Sequence, residues 1–155
     1  RWTMMNLDKV HVRGLGVDVE VNGIWSKFLL QAKINYTMEK AIDRTPNSSV
    51  FGSQIPYIPE NSGSARLSAS YKEWGLQYGF VYAGYRYSQK ANIIENYLPP
   101  WFTHDLSVHR TLRVAQSTYK LGVEMNNLTN RQYEVISNYP MPGSNFRISL
   151  QANIK

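Results

Sequence analysis

The chain has 155 residues, 17 Lys and Arg against 11 Asp and Glu, a formal charge of +6, and 11 Tyr, 4 Trp and 5 Phe. Charged residues make up 18%, below the roughly 25% of ordinary soluble domains, yet no apolar run approaches the roughly 18 residues a membrane helix needs. The lack of cysteine excludes a disulfide framework and a thiolate metal site, and cations scattered singly, with no cluster interleaved with stacking aromatics, argue against nucleic acid.

No apolar stripe at helical spacing is sustained, whereas period-two alternation recurs throughout. The first predicted strand covers 10–21, with Leu15, Val17, Val19 and Val21 on one face and Asp18 and Glu20 on the other. Asn22-Gly23 follows, a strong hairpin signal, within a short connection 22–25. The second strand, 26–41, puts Phe28, Leu30, Ala32, Ile34, Tyr36 and Met38 on one face, and Leu29 breaks the pattern. A polar, proline-rich stretch, 42–63, comes next. The third strand, 64–71, opposes Ala65, Leu67, Ala69 and Tyr71 to Ser64, Arg66, Ser68 and Ser70.

A short turn, 72–75, leads to a fourth strand, 76–88, aromatic on both faces, so its wet side cannot be assigned from sequence. A second long loop, 89–101, carries Pro99-Pro100. The fifth strand, 102–112, has Phe102, Leu106, Val108 and Leu112 in phase. His104 and Arg110 share that face near its ends. After 113–117, the sixth strand, 118–126, opposes Tyr119, Leu121, Val123 and Met125 to Lys120, Gly122, Glu124 and Asn126. A third long loop, 127–143, precedes a closing strand running to 155. There Phe146, Ile148, Leu150, Ala152 and Ile154 alternate with Arg147, Ser149, Gln151, Asn153 and Lys155.

Connections alternate short and long. Consecutive antiparallel strands place successive connections at alternate ends, so every long loop lies at one end and every tight turn at the other. Outer-membrane barrels have this asymmetry. Hydrocarbon offers no hydrogen bonds, so spanning strands must pair all round and close. Side chains facing lipid are then apolar, and those facing the lumen are free to be polar. A Lys or Arg against lipid costs about 2–4 kcal/mol at the midplane and about 0–1 near the interfaces. The predicted fold is therefore an all-β, transmembrane, antiparallel β-barrel. Seven strands are an odd count, whereas bacterial single-chain barrels have an even one. That parity, with a start at Arg1 lacking a signal pattern, predicts part of a larger barrel. A soluble β-sandwich or barrel binding a ligand such as carbohydrate, and a plug-less outer-membrane barrel, are the competing architectures.

Several segments carry a family resemblance. Gln54-Ile55-Pro56-Tyr57-Ile58-Pro59-Glu60-Asn61 precedes the strand containing Leu67, and Leu98-Pro99-Pro100-Trp101 and Asp105 come later. Asn127-Leu128-Thr129-Asn130-Arg131-Gln132-Tyr133 is followed by Tyr139-Pro140-Met141-Pro142-Gly143 and the terminal strand. In this order they resemble the C-terminal part of TonB-dependent outer-membrane receptors of the Bacteroidetes type, with Ser144 where the family usually has Arg. The resemblance implies a 22-stranded barrel occluded by an N-terminal plug, residues 1–155 supplying its last seven strands. It implies import of an iron chelate, haem or cobalamin, energised through TonB, in the bacterial outer membrane, without catalysis. Implied partners are the receptor's own plug and remaining strands, the TonB complex, and a surface lipoprotein. Residues 42–63, 89–101 and 127–143 would then be extracellular.

Tyr57, Trp101 and Tyr139 are the loop candidates for ligand contact, and Arg66, Lys120, Glu124 and Arg147 the lumen-facing polar set. Within the resembling segments, Asn127, Leu128 and Asn130 read first as turn formers, since Asn side chains bond nearby backbone. Tyr133 suits an interfacial girdle, with Trp74 and Trp101 at the two belts. Tyr139, Pro140, Pro142 and Gly143 read as a stiff return to a strand. His104 and His109 lie five apart, hence on opposite faces of a strand, and cannot share a metal. No metal, cofactor or nucleophile elbow is predicted.

Overall fold

Alternating side chains need a partner strand on each side. A computed structural model, describing residues 9–154, supplies them for the five inner strands of a seven-stranded sheet. The strands are β1 (Val10–Trp25), β2 (Phe28–Asp43), β3 (Asn61–Tyr71), β4 (Trp74–Ala83), β5 (Arg86–Tyr87), β6 (Tyr97–Leu98), β7 (Trp101–Val114), β8 (Ser117–Asn126), β9 (Glu134–Ile136), β10 (Tyr139–Pro140) and β11 (Asn145–Asn153). Seven of them form one sheet, in the order β1-β2-β3-β4-β7-β8-β11, with every neighbour antiparallel. The other four pair as two small ribbons, β5 with β6 and β9 with β10. The sheet is open, β1 and β11 being its edges. The closing strand ends at Asn153, and the expectation for Lys155 lies outside the described residues.

Register sorts the sheet into two faces. Val19, Ile34, Ala65, Phe80, His104 and Leu106 belong to one face, reached through the pairs Val19↔Ile34, Ile34↔Ala65, Ala65↔Phe80 and Phe80↔His104. This face stays open: Leu15, Val17, Val21, Leu67, Leu76, Val123, Phe146, Ile148 and Leu150 are all exposed. Nothing among the described residues packs against it. The opposite face carries Asp18, Glu20, Lys33, Arg66, Gln77, Asp105, Glu124 and Arg147. It also settles β4: Trp74, Leu76, Tyr78, Phe80 and Tyr82 are on the apolar side, and Gly75, Gln77, Gly79 and Val81 on the polar side.

Aromatic residues mark one border of the apolar face. Trp25 pairs with Phe28 and Tyr71 with Trp74, beside the tight turns. The Phe28 and Tyr71 rings lie 5.0 Å apart. Lys72 Nζ sits 5.3 Å over Tyr71, and Arg110 Cζ 5.2 Å over Trp74, so these cations cover ring faces near the border. From Phe28 to Met38 the β2 apolar face has no charge. Those ten steps, at about 3.4 Å each and about 40° of tilt, rise about 26 Å, the height of an outer-membrane apolar band. His104 is settled within the face: its Nδ1 and the Tyr78 hydroxyl share a 2.6 Å hydrogen bond, and Phe80 packs at 5.1 Å.

The turns are tighter than expected and differently placed. Asn22-Gly23 is not a turn; both residues lie in the ladder, opposite Gln31 and Leu30, and the chain reverses at Ser26-Lys27. A turn at Asn22-Gly23 would set Arg13 opposite Ala32 and His11 opposite Ile34, inside the apolar band. The observed register instead matches Leu15 with Met38, Val17 with Tyr36 and Val19 with Ile34, and keeps Arg13 opposite Lys40 beyond the band. Matching apolar residue to apolar residue along one face overrides local turn preference. The other tight turns are Lys72-Glu73 and Ala115-Gln116. In all three the first residue has positive φ, at 56° for Ser26, 52° for Lys72 and 53° for Ala115.

The long connections, 44–60, 84–100 and 127–144, all lie at the other end. The fourth strand stops at Ala83, not at Ser88, because Gly84 turns off the sheet after its N–H bonds Asn61 O at 2.7 Å. A Cβ on Gly84 would lie 2.8 Å from that oxygen. Among the described residues, the buried apolar ones, Ala41, Ile55 and Leu98, all sit at this end.

Candidate functional site

The polar face encloses a trough of about 560 Å³ crossing β1, β2, β3, β4, β7 and β8. Strand alternation delivers its lining, since every second residue of each strand must point there. Lys33 Nζ lies 3.0 Å from Glu20, and Asn35 donates to Asp18 at 3.1 Å. Arg147 Nε donates to Glu124 at 2.7 Å. Arg66 stands opposite Lys33 on one side and Gly79 on the other. Gly79 brings no side chain, which leaves Arg66 room. Lys120 occupies the same face between Thr111 and Gln151. Four carboxylates (Asp18, Glu20, Asp105, Glu124) line the trough against two cations (Lys33, Arg66). The trough suits a polar solute, or a polar protein surface, met by hydrogen bonds and charges of both signs.

At the mouth, the three long connections are tied into one cap. Arg86, 3% exposed, donates to the carbonyls of Pro99 and Val135 at 3.4 and 3.3 Å, and to Glu134 O. It thereby joins connection 84–100 to 127–144. Burial pushes its guanidinium down from the usual arginine value, and the nearby Tyr57 opposes that. An arginine keeps its charge even so, and three carbonyl dipoles compensate it. Connection 44–60 joins through the Tyr57 N–H, which bonds Tyr87 O at 2.8 Å, and through Asn92 Nδ2, which donates to Gln54 O at 3.2 Å. Tyr85 donates to Glu60 at 2.9 Å, and this hydrogen bond, then burial, raises the Tyr85 phenol above its usual pKa. Tyr85 stacks on Tyr97 at 6.0 Å, and Tyr87 meets both edge-on.

Asn127 is 3% exposed at φ 50°, a left-handed conformation that Asn tolerates. Its N–H bonds Asp105 at 2.8 Å, linking loop to trough. Its side chain donates to Arg131 O at 2.9 Å and Pro142 O at 3.2 Å, and accepts from Arg131 N at 2.9 Å. Leu128 N bonds His104 O at 2.8 Å, and Asn130 Oδ1 accepts from Ser144 N at 3.0 Å. A Cβ on Gly143 would strike Asn130 Oδ1. Tyr139 and Pro140 form β10 against β9, and Pro142 contributes only its carbonyl.

Two aromatic assignments change. Trp101 is opposite Ala83 on the polar side, and its ring packs on Tyr133 at 4.5 Å, so neither residue belongs to a lipid-facing girdle. Ring stacking at the mouth replaces contact with lipid for both. Burial, and secondarily Asp105, raises the Tyr133 phenol. Tyr57, Trp101 and Tyr139 thus sit in three different settings: Tyr57 at the 44–60 crossing, Trp101 in the mouth, Tyr139 on an exposed ribbon. Sequence reasoning missed Arg86 and the Tyr85, Tyr87, Tyr97 cluster. Gly84, within Ala-Gly-Tyr, was the one signal that the strand ended before them.

Sheet faces, border aromatics and one-ended loops define the wall of an outer-membrane type of barrel. The family described as TonB dependent receptor-like, beta-barrel matches residues 1–128, and the chain belongs to it. A search of curated proteins gave no match. The family is one of outer-membrane receptors and transporters rather than enzymes, working in general with a plug domain and TonB. The Asn127 to Gly143 segment lies almost wholly beyond the matched residues.

Proposed function

We propose that this chain forms the last seven strands of a 22-stranded receptor barrel that imports a scarce nutrient, an iron chelate, haem or cobalamin. A plug fills the barrel, and TonB supplies the energy. The observation that carries the reading is the two-sided sheet: an uncovered apolar face about 26 Å tall, a charged trough behind it, and every long connection at one end. Arg66, Lys120, Glu124 and Arg147 face the lumen, where the plug is the nearest polar surface. Connections 44–60, 84–100 and 127–144 are extracellular and carry Tyr57 and Tyr139, with Trp101 at the mouth, as ligand contacts. A surface lipoprotein would meet the same loops.

The test uses the intact receptor in its own cells. It should fractionate with the outer membrane and migrate as a heat-modifiable band. External protease should cut in the three long connections and spare Lys72-Glu73. Uptake of one labelled nutrient class should stop when the receptor or TonB is deleted. A receptor monodisperse in buffer without detergent would refute the barrel, and uptake unchanged by TonB loss would refute the energy source.

A further inference from the structure

Cations scattered along the sequence converge at one border of the apolar face. Arg13 is opposite Lys40, and His11 opposite Ile42. The Arg44 N–H bonds Lys9 O at 2.9 Å, so the hairpin ladder continues past β2 and brings Arg44 to the same rim. His11, Arg13, Lys40, Ile42 and Arg44 line a recess of about 180 Å³. Arg13, Lys40 and Arg44 are exposed, and His11 is half-buried.

Three observations give this recess its chemistry. First, it begins one step past Leu15 and Met38, where the uncharged band ends, which in a membrane is headgroup depth. Second, among the described residues no ion pair involves these four side chains. Arg13 Nε only approaches His11 Nε2, at 3.5 Å, and Arg44 lies 5.1 Å over the Phe51 ring. The strand's acids, Glu39 and Asp43, alternate to the other face, where Asp43 accepts from Thr45 N. Third, among the described residues no ring lies under Arg13 or Lys40, whereas Lys72 and Arg110 at the opposite border lie over Tyr71 and Trp74. Unpaired cations clustered at a membrane surface attract anionic lipid, and Arg presents a fork matched to phosphate oxygens.

We propose that His11, Arg13, Lys40 and Arg44 bind the phosphate headgroup of an anionic lipid in the leaflet bordering the long connections. Arg13 and Lys40 grip phosphate oxygens, Arg44 closes the site from above, and the acyl chains run down Leu15, Val17, Tyr36 and Met38. The inference rests on the barrel reading, which orients this face to lipid.

The experiment takes the intact receptor, stripped of lipid in neutral detergent. It is titrated with phosphatidic acid, phosphatidylcholine or inorganic phosphate, and bound lipid is counted by native mass spectrometry. Phosphatidic acid should bind at least tenfold tighter than phosphatidylcholine and should not be displaced by equimolar inorganic phosphate. The triple variant Arg13→Gln, Lys40→Gln, Arg44→Gln should lose that preference, and the charge-conserving pair Arg13→Lys, Lys40→Arg should keep it. Equal binding of the two lipids, displacement by equimolar phosphate, or a triple variant with unchanged preference would each overturn the proposal. If the triple variant does not insert, the discrimination by the unaltered receptor decides alone. Solubility of that receptor without detergent would instead refute the barrel, a separate outcome.

Discussion

Replacing Asn127 by Gly should open the 127–144 connection while leaving the sheet in place. Asn127 makes three side-chain hydrogen bonds to backbone groups, at 2.9, 3.2 and 2.9 Å, while being 3% exposed. Each is worth about 1 kcal/mol net, so Asn127→Gly should cost about 3 kcal/mol locally. Gly accepts φ 50° without penalty. Ala does not, and Asn127→Ala should add about 1 kcal/mol. At about 1.4 kcal/mol per decade, the opening equilibrium should rise about 140-fold for Gly and about 700-fold for Ala. Hydrogen exchange on the intact receptor reads this directly. The amides of Leu128 and Ser144, bonded to His104 O and Asn130 Oδ1, should lose protection by those factors. Peptides from β4 should exchange as before. Protection unchanged within a few-fold, or lost evenly across the sheet, would refute the claim that Asn127 holds this connection by its side chain.

Ile148, 66% exposed midway along β11, should cost about 2–4 kcal/mol when changed to Arg, against far less for Ser149→Arg on the polar side. Urea unfolding of the receptor from lipid vesicles measures both, and equal costs would contradict the face assignment. Arg86→Met should strand the Pro99, Glu134 and Val135 carbonyls and speed protease cleavage in 84–100 and 127–144 together, with Arg86→Lys only partly restoring the slower wild-type rate; separate or unchanged rates would count against a shared cap. Tyr85 holds its proton more strongly folded than unfolded. Its contribution is therefore complete below the ordinary tyrosine pKa and lost as pH rises through the raised value. The 295 nm difference spectrum between wild type and Tyr85→Phe should show that late ionisation, and Glu60→Gln should move it earlier.

Much of the wall was legible from alternation. In β3, Ala65, Leu67, Ala69 and Tyr71 had to share a face because each strand residue points opposite to its neighbour. The ends of the sheet were legible too, since antiparallel hairpins place alternate connections at opposite ends whatever their details. Turn positions were not. Asn22-Gly23 carried the strongest local signal, but the ladder ran four residues farther to keep Arg13 and His11 out of the apolar band. Residues 84–88 read as strand because Tyr85 and Tyr87 continue the alternation; their departure depends on Gly84 meeting Asn61, the first residue of β3, a contact distant in sequence.

Sequence alone determined the two faces of every strand except β4, the strand class and the one-ended loops, because a period of two is a property of each strand by itself. Only the tertiary structure decided what lies together across strands. Arg86 is buried because three carbonyls from two distant segments converge on it. Trp101 turns inward onto Tyr133, and a register set over sixteen paired residues gathers His11, Arg13, Lys40 and Arg44 at one rim. Local alternation says which way a side chain points, while register and loop closure, summed over many distant pairs, say what it meets.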